Sequence, residues 1–301
     1  VIMRDFLSLA DLDRASILGL IDLADELKQR QRRHEPYRPL EGKTLAMIFE
    51  KPSLRTRVTF EIGIFQLGGY GLFYQTRLGE RESVPDVARN LERWVDGIMA
   101  RTYSHQVLVE LAEYSSVPVI NALSDREHPC QILADAQALR EHKGKFDGLK
   151  VAFVGDGNNV FASWAHFAAR IPIHLTLTCP EGYEPDPEIL AFAQRETNGS
   201  VMVTHDLAEG VGNADAVYTD VWASMGQEDE AEARAAVFAP YQVNAKCMAL
   251  AKPDAVFMHC LPAHRGYEVT DEVIDSRQSI VFDEAENRLH AQKAIMVSLM
   301  K

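Results

Sequence analysis

No apolar run in this 301-residue chain approaches the roughly 18–20 residues needed to cross a bilayer, so no membrane-spanning role is expected. Cysteine is scarce. Cys130, Cys179, Cys247 and Cys260 lie far apart with no Cys-x-x-Cys pair, which reads as reduced, mostly buried thiols rather than a disulfide framework or a zinc site. The ten histidines include no His-x-x-x-His pair on an expected helix, so nothing asks for a metal or another cofactor. Positive charge is also in deficit, with 31 Lys and Arg against 44 Asp and Glu, a formal charge of −13. A field of that sign repels nucleic acid and acidic membrane surfaces. Any anion must therefore be gripped by a local cluster of arginines and backbone N–H groups. Val1 to Asp5 carry no apolar h-region and no small-residue cleavage site, so the expected location is the cytoplasm.

What is present is the composition of a soluble globular protein: 47% hydrophobic and 25% charged residues, over a length that suits two domains. Ile17, Leu20, Ile21, Ala24 and Leu27 recur at helical spacing, with Ser8 and Asp11 as capping candidates. Thr44–Phe49 is a short continuous apolar run, as expected of a buried parallel strand. Val58, Ile62 and Phe65 resume a helical pattern up to Gly68-Gly69. Strands are predicted at 71–74, 97–100 and 117–121, with a helix over 87–94. The order restarts at Val151–Gly155 and continues through 174–178, 216–219 and 256–259. A helix over 131–145 separates the two series, and a last helix covers 285–301. This alternation predicts an α/β fold. It consists of two doubly wound parallel-sheet domains joined by an interdomain helix, with the C-terminal helix packing back on the first domain.

In open α/β sheets ligands collect beyond the carboxyl ends of the strands, so polar residues there are the ones to interrogate. Ser53-Leu54-Arg55-Thr56-Arg57 follows the first strand and opens a helix. An N-cap serine, free N–H groups, hydroxyls and a guanidinium make a phosphate site, although an ordinary cap with solvated arginines fits the same residues. The glycines and the Gly-Lys-Ser/Thr ending of a Walker loop are absent. Arg101 ends another strand. In His128-Pro129-Cys130-Gln131, His128 and Gln131 share a helical face, so a capping histidine and a member of a polar set both fit.

In the second half, Gly155-Asp156-Gly157-Asn158-Asn159 invites a dinucleotide reading. Val160 stands where the third glycine would be needed, and no acidic residue ends the next strand, so an NAD-binding function is disfavoured. Asp220, with Ser224 and Met225 after it, suits a substrate's charged amine, while a solvent loop is the bland alternative. Cys260 beside His259 tempts a nucleophile assignment, but strand neighbours point to opposite faces and make a poor dyad. Arg288 is a further cation on the last helix, or a surface arginine.

Taken in order, Phe49–Arg57, His128–Gln131, Gly155–Asn159, Asp220–Gly226, His259–Pro262 and Glu284–Arg288 resemble the ornithine carbamoyltransferases of the aspartate/ornithine carbamoyltransferase family. The resemblance implies transfer of a carbamoyl group from carbamoyl phosphate to ornithine, without metal or cofactor. It implies a carbamoyl phosphate-binding domain over 1–130 with 286–301, an ornithine-binding domain over 131–285, and a homotrimer or a multiple of it. Ser53, Leu54 through its backbone, Arg55, Thr56 and Arg101 would hold phosphate. His128, Gln131, Arg288, Cys260 through its carbonyl and Leu261 would surround the carbamoyl group. Asn159, Asp220, Ser224 and Met225 would position ornithine, with Arg55, Arg101, His128, Cys260 and Arg288 as the catalytic set. Arg57 is expected only to brace its helix through an ion pair.

Leu54 departs from the family's usual threonine, and residues 74–83 form a shorter loop than usual, to which no role is carried over. Rival acceptors are aspartate, putrescine, and acetylornithine or succinylornithine; a catalytically silent binding paralogue is the rival of another class. A free α-amine suits Asp220 better than an amide does.

Overall fold

The computed structural model describes residues 3–223 and 230–301. The chain forms two compact units, residues 1–137 with 286–301 and residues 138–285. The strands of the first are β1 (Thr44–Phe49), β2 (Tyr70–Gln75), β3 (Gly97–Arg101) and β4 (Val119–Leu123). Those of the second are β5 (Lys150–Val154), β6 (His174–Thr178), β7 (Ser200–Thr204), β8 (Ala216–Thr219) and β9 (Val256–His259). The helices are α1 (Arg14–Arg32), α2 (Leu54–Gln66), α3 (Val84–Leu91), α4 (His105–Tyr114), α5 (Pro129–Lys143) and α6 (Asn159–Arg170). They continue as α7 (Pro187–Glu196), α8 (Leu207–Val211), α9 (Ala231–Phe238), α10 (Ala245–Met248), α11 (Asp271–Ile274) and α12 (Val281–Met300). Among the described residues no helix is long and apolar enough to cross a membrane.

Both sheets are parallel, as the alternating order predicts, with strand orders β2-β1-β3-β4 and β7-β6-β5-β8-β9. β1, β3 and β4 are almost wholly buried, as their apolar runs require, and β5, β8 and β9 match them. The edge strand β7 was not among the predicted strands. Its sequence, Ser-Val-Met-Val-Thr, buries only Val201 fully, so no continuous apolar run announces it. Sheet order reverses beside the first strand of each series, between β1 and β3 and between β5 and β8. Register sets Phe49 beside Arg101 and Val154 beside Thr219, so the loops that leave each reversal start side by side. Such switch points are where open α/β sheets place ligands.

At the opposite ends the two sheets use one device. Asp96 accepts from the Thr44 N–H at 2.8 Å and from Lys43 at 3.0 Å. Asp215 accepts from the Lys150 N–H at 2.9 Å and from Lys252 at 2.7 Å. An aspartate before the third strand of one series and the fourth of the other thus satisfies the first N–H of the central strand.

Local chemistry explains the helix starts. Asp13, not Ser8 or Asp11, caps α1 by accepting from the Ser16 N–H at 2.7 Å. Ser8 instead caps a short 3-10 turn over Leu9–Asp11. The stripe from Ile17 to Leu27 is buried as predicted. The pattern on α2 behaves otherwise: Phe60, Gly63 and Ile64 face the core, while Leu54, Val58, Ile62 and Phe65 are exposed. α6 is buried from Val160 to Ala169 because its aromatics fill the core over β5 and β8. Phe153 stacks on Tyr218 with centroids 5.2 Å apart, and Trp164 meets Tyr218 edge-on at 5.8 Å. Each such large side chain contributes roughly 1.5–3 kcal/mol by burial.

The last helix completes the first unit. Lys28 on α1 donates to Asn287 at 2.6 Å, and Lys293 donates to Gln31 and Gln66 at 3.0 Å each. Gly63 on α2 lets Met296 approach; a Cβ there would lie 2.9 Å from the methionine's terminal methyl.

Candidate active site

At the first switch point, Glu50 ties two loops together: Oε1 accepts from the Leu78 N–H at 3.0 Å and Oε2 from the Tyr103 N–H at 2.7 Å. Ser53 then caps α2, its Oγ accepting from the Thr56 N–H at 3.3 Å. The N–H groups of the first turn are thereby aimed outward, at the positive end of the helix dipole. Arg55 is half-buried in that turn, Thr56 is buried, and Leu54 leaves its side chain exposed. Arg57 bonds Glu61 at 3.4 Å and stacks over Phe73 with its guanidinium carbon 3.7 Å from the ring centre. It is a brace, as expected.

Arg288 is only 2% exposed and lies well inside α12, so the surface-arginine alternative falls. Its guanidinium donates to Gln131 Oε1 and, at 3.1 Å, to Thr56 Oγ1. Gln131 in turn donates to the buried Asp135 carboxylate at 2.7 Å. The amide thus passes the fixed orientation of Asp135 on to the guanidinium. His128, immediately before α5, is buried too. Burial first, then the charges of Arg288, Arg101, Lys51 and Arg55, hold its imidazole well below the ordinary value of 6.5. A neutral histidine ringed by four cations can donate a hydrogen bond without adding charge. The cluster is built for an anion.

The same physics gives a pH signature for folding. His290, on α12 in this unit, is pushed down from 6.5 to about 3 by burial and by the charges of Lys293, Lys28 and Arg32. Both histidines stay neutral when folded and take up protons more readily when unfolded. Their contribution to stability is complete above about pH 6.5 and is lost as pH falls below it, by up to about 1.4 kcal/mol per pH unit per histidine. Melting temperature is expected to level off near neutrality and to drop on the acid side, less steeply in His290→Gln. An equal slope in that variant would remove His290 from the account.

At the second switch point, Asn158 caps α6, its Oδ1 accepting from the N–H groups of Val160 at 2.9 Å and Phe161 at 3.1 Å. Its Nδ2 donates to Asp220 Oδ2 at 2.8 Å. Asp220 Oδ1 accepts from the Cys260 thiol at 3.1 Å and from the Val221 N–H at 2.8 Å. Asn159 is the first residue of α6 and is half-buried. Ser224 and Met225 lie outside the described residues. His259 and Glu268 are fully buried 3.1 Å apart, and Leu261 donates its N–H to His259 Nδ1 at 2.9 Å. That bond makes Nδ1 the acceptor and Nε2 the donor to Glu268. His259 is therefore committed away from Cys260, and the two form no nucleophilic dyad. Asp220, His259 and Cys260 lie close enough to share a cation, yet both imidazole nitrogens are already engaged. Leu261 has φ of +56°, a left-handed conformation that costs a non-glycine residue about 1–3 kcal/mol and concentrates at functional sites.

Comparison with known proteins settles the family. The aspartate/ornithine carbamoyltransferase carbamoyl-P binding domain matches residues 4–141, and the Asp/Orn binding domain of the same name matches residues 147–299. The chain belongs to the aspartate/ornithine carbamoyltransferase family. Within it, the chain is 53% identical to ornithine carbamoyltransferase of Thermococcus kodakarensis over 99% of this chain and 96% of that one. It is 55% identical to that of Carboxydothermus hydrogenoformans, over 99% and 97%. The solved ornithine carbamoyltransferase of Pyrococcus furiosus superposes with a TM-score of 0.96 at 50% identity, covering 99% of this chain and 97% of that one.

Two residues of this carbamoyltransferase-family chain stand out only in the structure. Lys51 is buried and its charge reaches His128, but in sequence it is an ordinary lysine before a proline. Asn158, the neighbour of Asn159, holds Asp220. Its signal was the capping position before an apolar helix, which said nothing about a second bond from the same amide.

Proposed function

We propose that the chain transfers the carbamoyl group of carbamoyl phosphate to the δ-amine of L-ornithine, giving L-citrulline and phosphate. The observation that carries this reading is the neutral His128 set among Arg55, Arg101, Lys51 and Arg288 at the first switch point. Phosphate would take the α2 N–H groups from Ser53 through Thr56, the Ser53 hydroxyl, and the Arg55 and Arg101 guanidinium groups. The carbonyl oxygen of the carbamoyl group would accept from Thr56, His128 and Arg288, with Gln131 holding the last in place. Attack by the neutral δ-amine makes a tetrahedral oxyanion, and these donors stabilise its charge more than that of the starting carbonyl. The C–O bond to phosphate then breaks, the nitrogen gives its surplus proton to the departing phosphate, and the cations on that phosphate make it a better leaving group.

Asp220 would bind the acceptor, with Asn159, Ser224 and Met225 completing its recognition. Cys260, whose thiol already bonds Asp220, would orient the amine through Asp220 rather than attack, and its carbonyl with that of Leu261 would meet the carbamoyl amide. Bond-making of this kind calls on no metal and no cofactor. Assembly as a homotrimer, or a multiple of it, is supported by Leu54, Val58, Ile62 and Phe65, an outward apolar stripe along roughly 16 Å of α2. Four cysteines that form no disulfide suit a reducing cytoplasm, and the reaction suits arginine biosynthesis. The test offers ornithine, putrescine, acetylornithine and aspartate in parallel and measures the carbamoylated product. Citrulline from ornithine is expected to dominate; preference for any other acceptor sinks the assignment.

A further inference from the structure

Arg234, on α9, is 9% exposed and draws together segments from several loops of the second unit. Its Nη1 donates to Asp156 Oδ2 at 2.8 Å and to the Trp222 carbonyl at 3.1 Å, and its Nε to Glu230 at 3.0 Å. The guanidinium also lies over the Tyr183 ring, 5.1 Å from its centre. Asp156 follows β5 and stands two residues before Asn158, the residue that holds Asp220. Trp222 follows β8 and stands two residues after Asp220. One guanidinium thus fixes the chain on either side of the Asn158–Asp220 bond. We infer that Arg234 is a positioning residue for the amino-acid acceptor, acting through Asp156 and the Trp222 carbonyl to set the placement of Asp220.

Electrostatics and packing both support the assignment. Burial raises the Asp156 carboxyl above its ordinary range; Arg234 pulls it back down, and the Asp220 charge pushes it up again. Two carboxylates therefore face one another with Arg234 as counter-charge, and removing it leaves an uncompensated, largely buried anion beside the acceptor's own partner. The loop cannot absorb the change by moving outward. The Gly157 N–H donates to the Tyr183 carbonyl at 2.9 Å, and a Cβ on Gly157 would come within 2.4 Å of the Pro185 nitrogen. The displaced group is then Asn158 and, through it, Asp220.

The inference rests on the carbamoyl transfer proposed above. In Arg234→Ala the KM for ornithine is expected to rise about tenfold, with kcat down by less than about threefold and the KM for carbamoyl phosphate within about twofold. Arg234→Lys keeps the charge but not the fork, and is expected to raise the ornithine KM by about threefold. Adding Asp156→Asn to Arg234→Ala removes the orphaned anion and is expected to recover much of the ornithine KM, a non-additivity that a merely structural arginine would not give. An ornithine KM at the wild-type value in folded Arg234→Ala, equal loss for both substrates, or no recovery in the double variant overturns it. Should the alanine variant not fold, a wild-type ornithine KM in Arg234→Lys does the same. No citrulline from the unaltered enzyme overturns the function reading and this one with it. Citrulline formation indifferent to Arg234 overturns this one alone.

Discussion

Arg55→Ala is expected to reduce kcat/KM by about a thousandfold while leaving the fold almost untouched. The two halves of that expectation have different causes. Arg55 lies in the first turn of α2, where the Ser53 cap and the turn's own N–H groups survive truncation, and its side chain is only half-buried. A partly exposed side chain of this kind costs less than about 1 kcal/mol of stability when removed. Its charge, however, reaches His128 as do those of Arg101 and Arg288, and in the proposed site it would meet the same phosphate. Losing one charge-assisted contact to a phosphate in a desolvated cluster costs on the order of 3–4 kcal/mol of transition-state stabilisation. Steady-state kinetics beside a thermal melt separates the two. Activity near wild type in a folded variant removes Arg55 from the phosphate site.

Asp220→Asn is expected to act on the other substrate, raising the ornithine KM at least about a hundredfold and lowering kcat as well. The substitution keeps the volume, so packing is preserved, but it replaces an acceptor-only carboxylate by a group that is half donor. Asn158 and Cys260 both donate to Asp220, and one of these bonds becomes a donor–donor conflict when the amide arrives. The charge that would hold an ammonium disappears at the same time. Carbamoyl phosphate is expected to bind as before, because His128 and its four cations lie outside the change. Kinetics with each substrate varied in turn provides the check, and an unaltered ornithine KM would falsify the role of Asp220.

The sheets were legible because parallel strands buried on both faces must be nearly continuous apolar runs, and β1, β5 and β9 are such runs. β7 was not, because only Val201 of its five residues is fully buried and no continuous apolar run forms. Periodicity on α2 named the apolar residues and not the direction they face; Val58, Ile62 and Phe65 look outward, and only tertiary structure decides that. Of the residues proposed to bind substrate, Ser53, Arg55, Thr56, His128 and Asp220 could be found at strand ends from sequence. The depth of Arg288 could not. It follows from α12 packing along α1 and α2 of the first unit, a long-range event with no local mark. Lys51 and Asn158 escaped for the same reason: each is typical of its local position, and its importance comes from a partner far along the chain.

The division of the first unit into residues 1–137 and 286–301 bears on how the protein is made. A ribosome delivers β1 to β4 and the capped turn of α2 early, then the whole of the second unit, and only then α12. Until that helix emerges, Thr56 and Gln131 have no guanidinium between them, and Gly63 faces no methionine. The second unit, continuous in the chain, can finish folding first. The anion cluster is therefore the last part of the enzyme to be assembled, and in a chain stopped short of Arg288 the second unit would fold while the first could not yet complete that cluster.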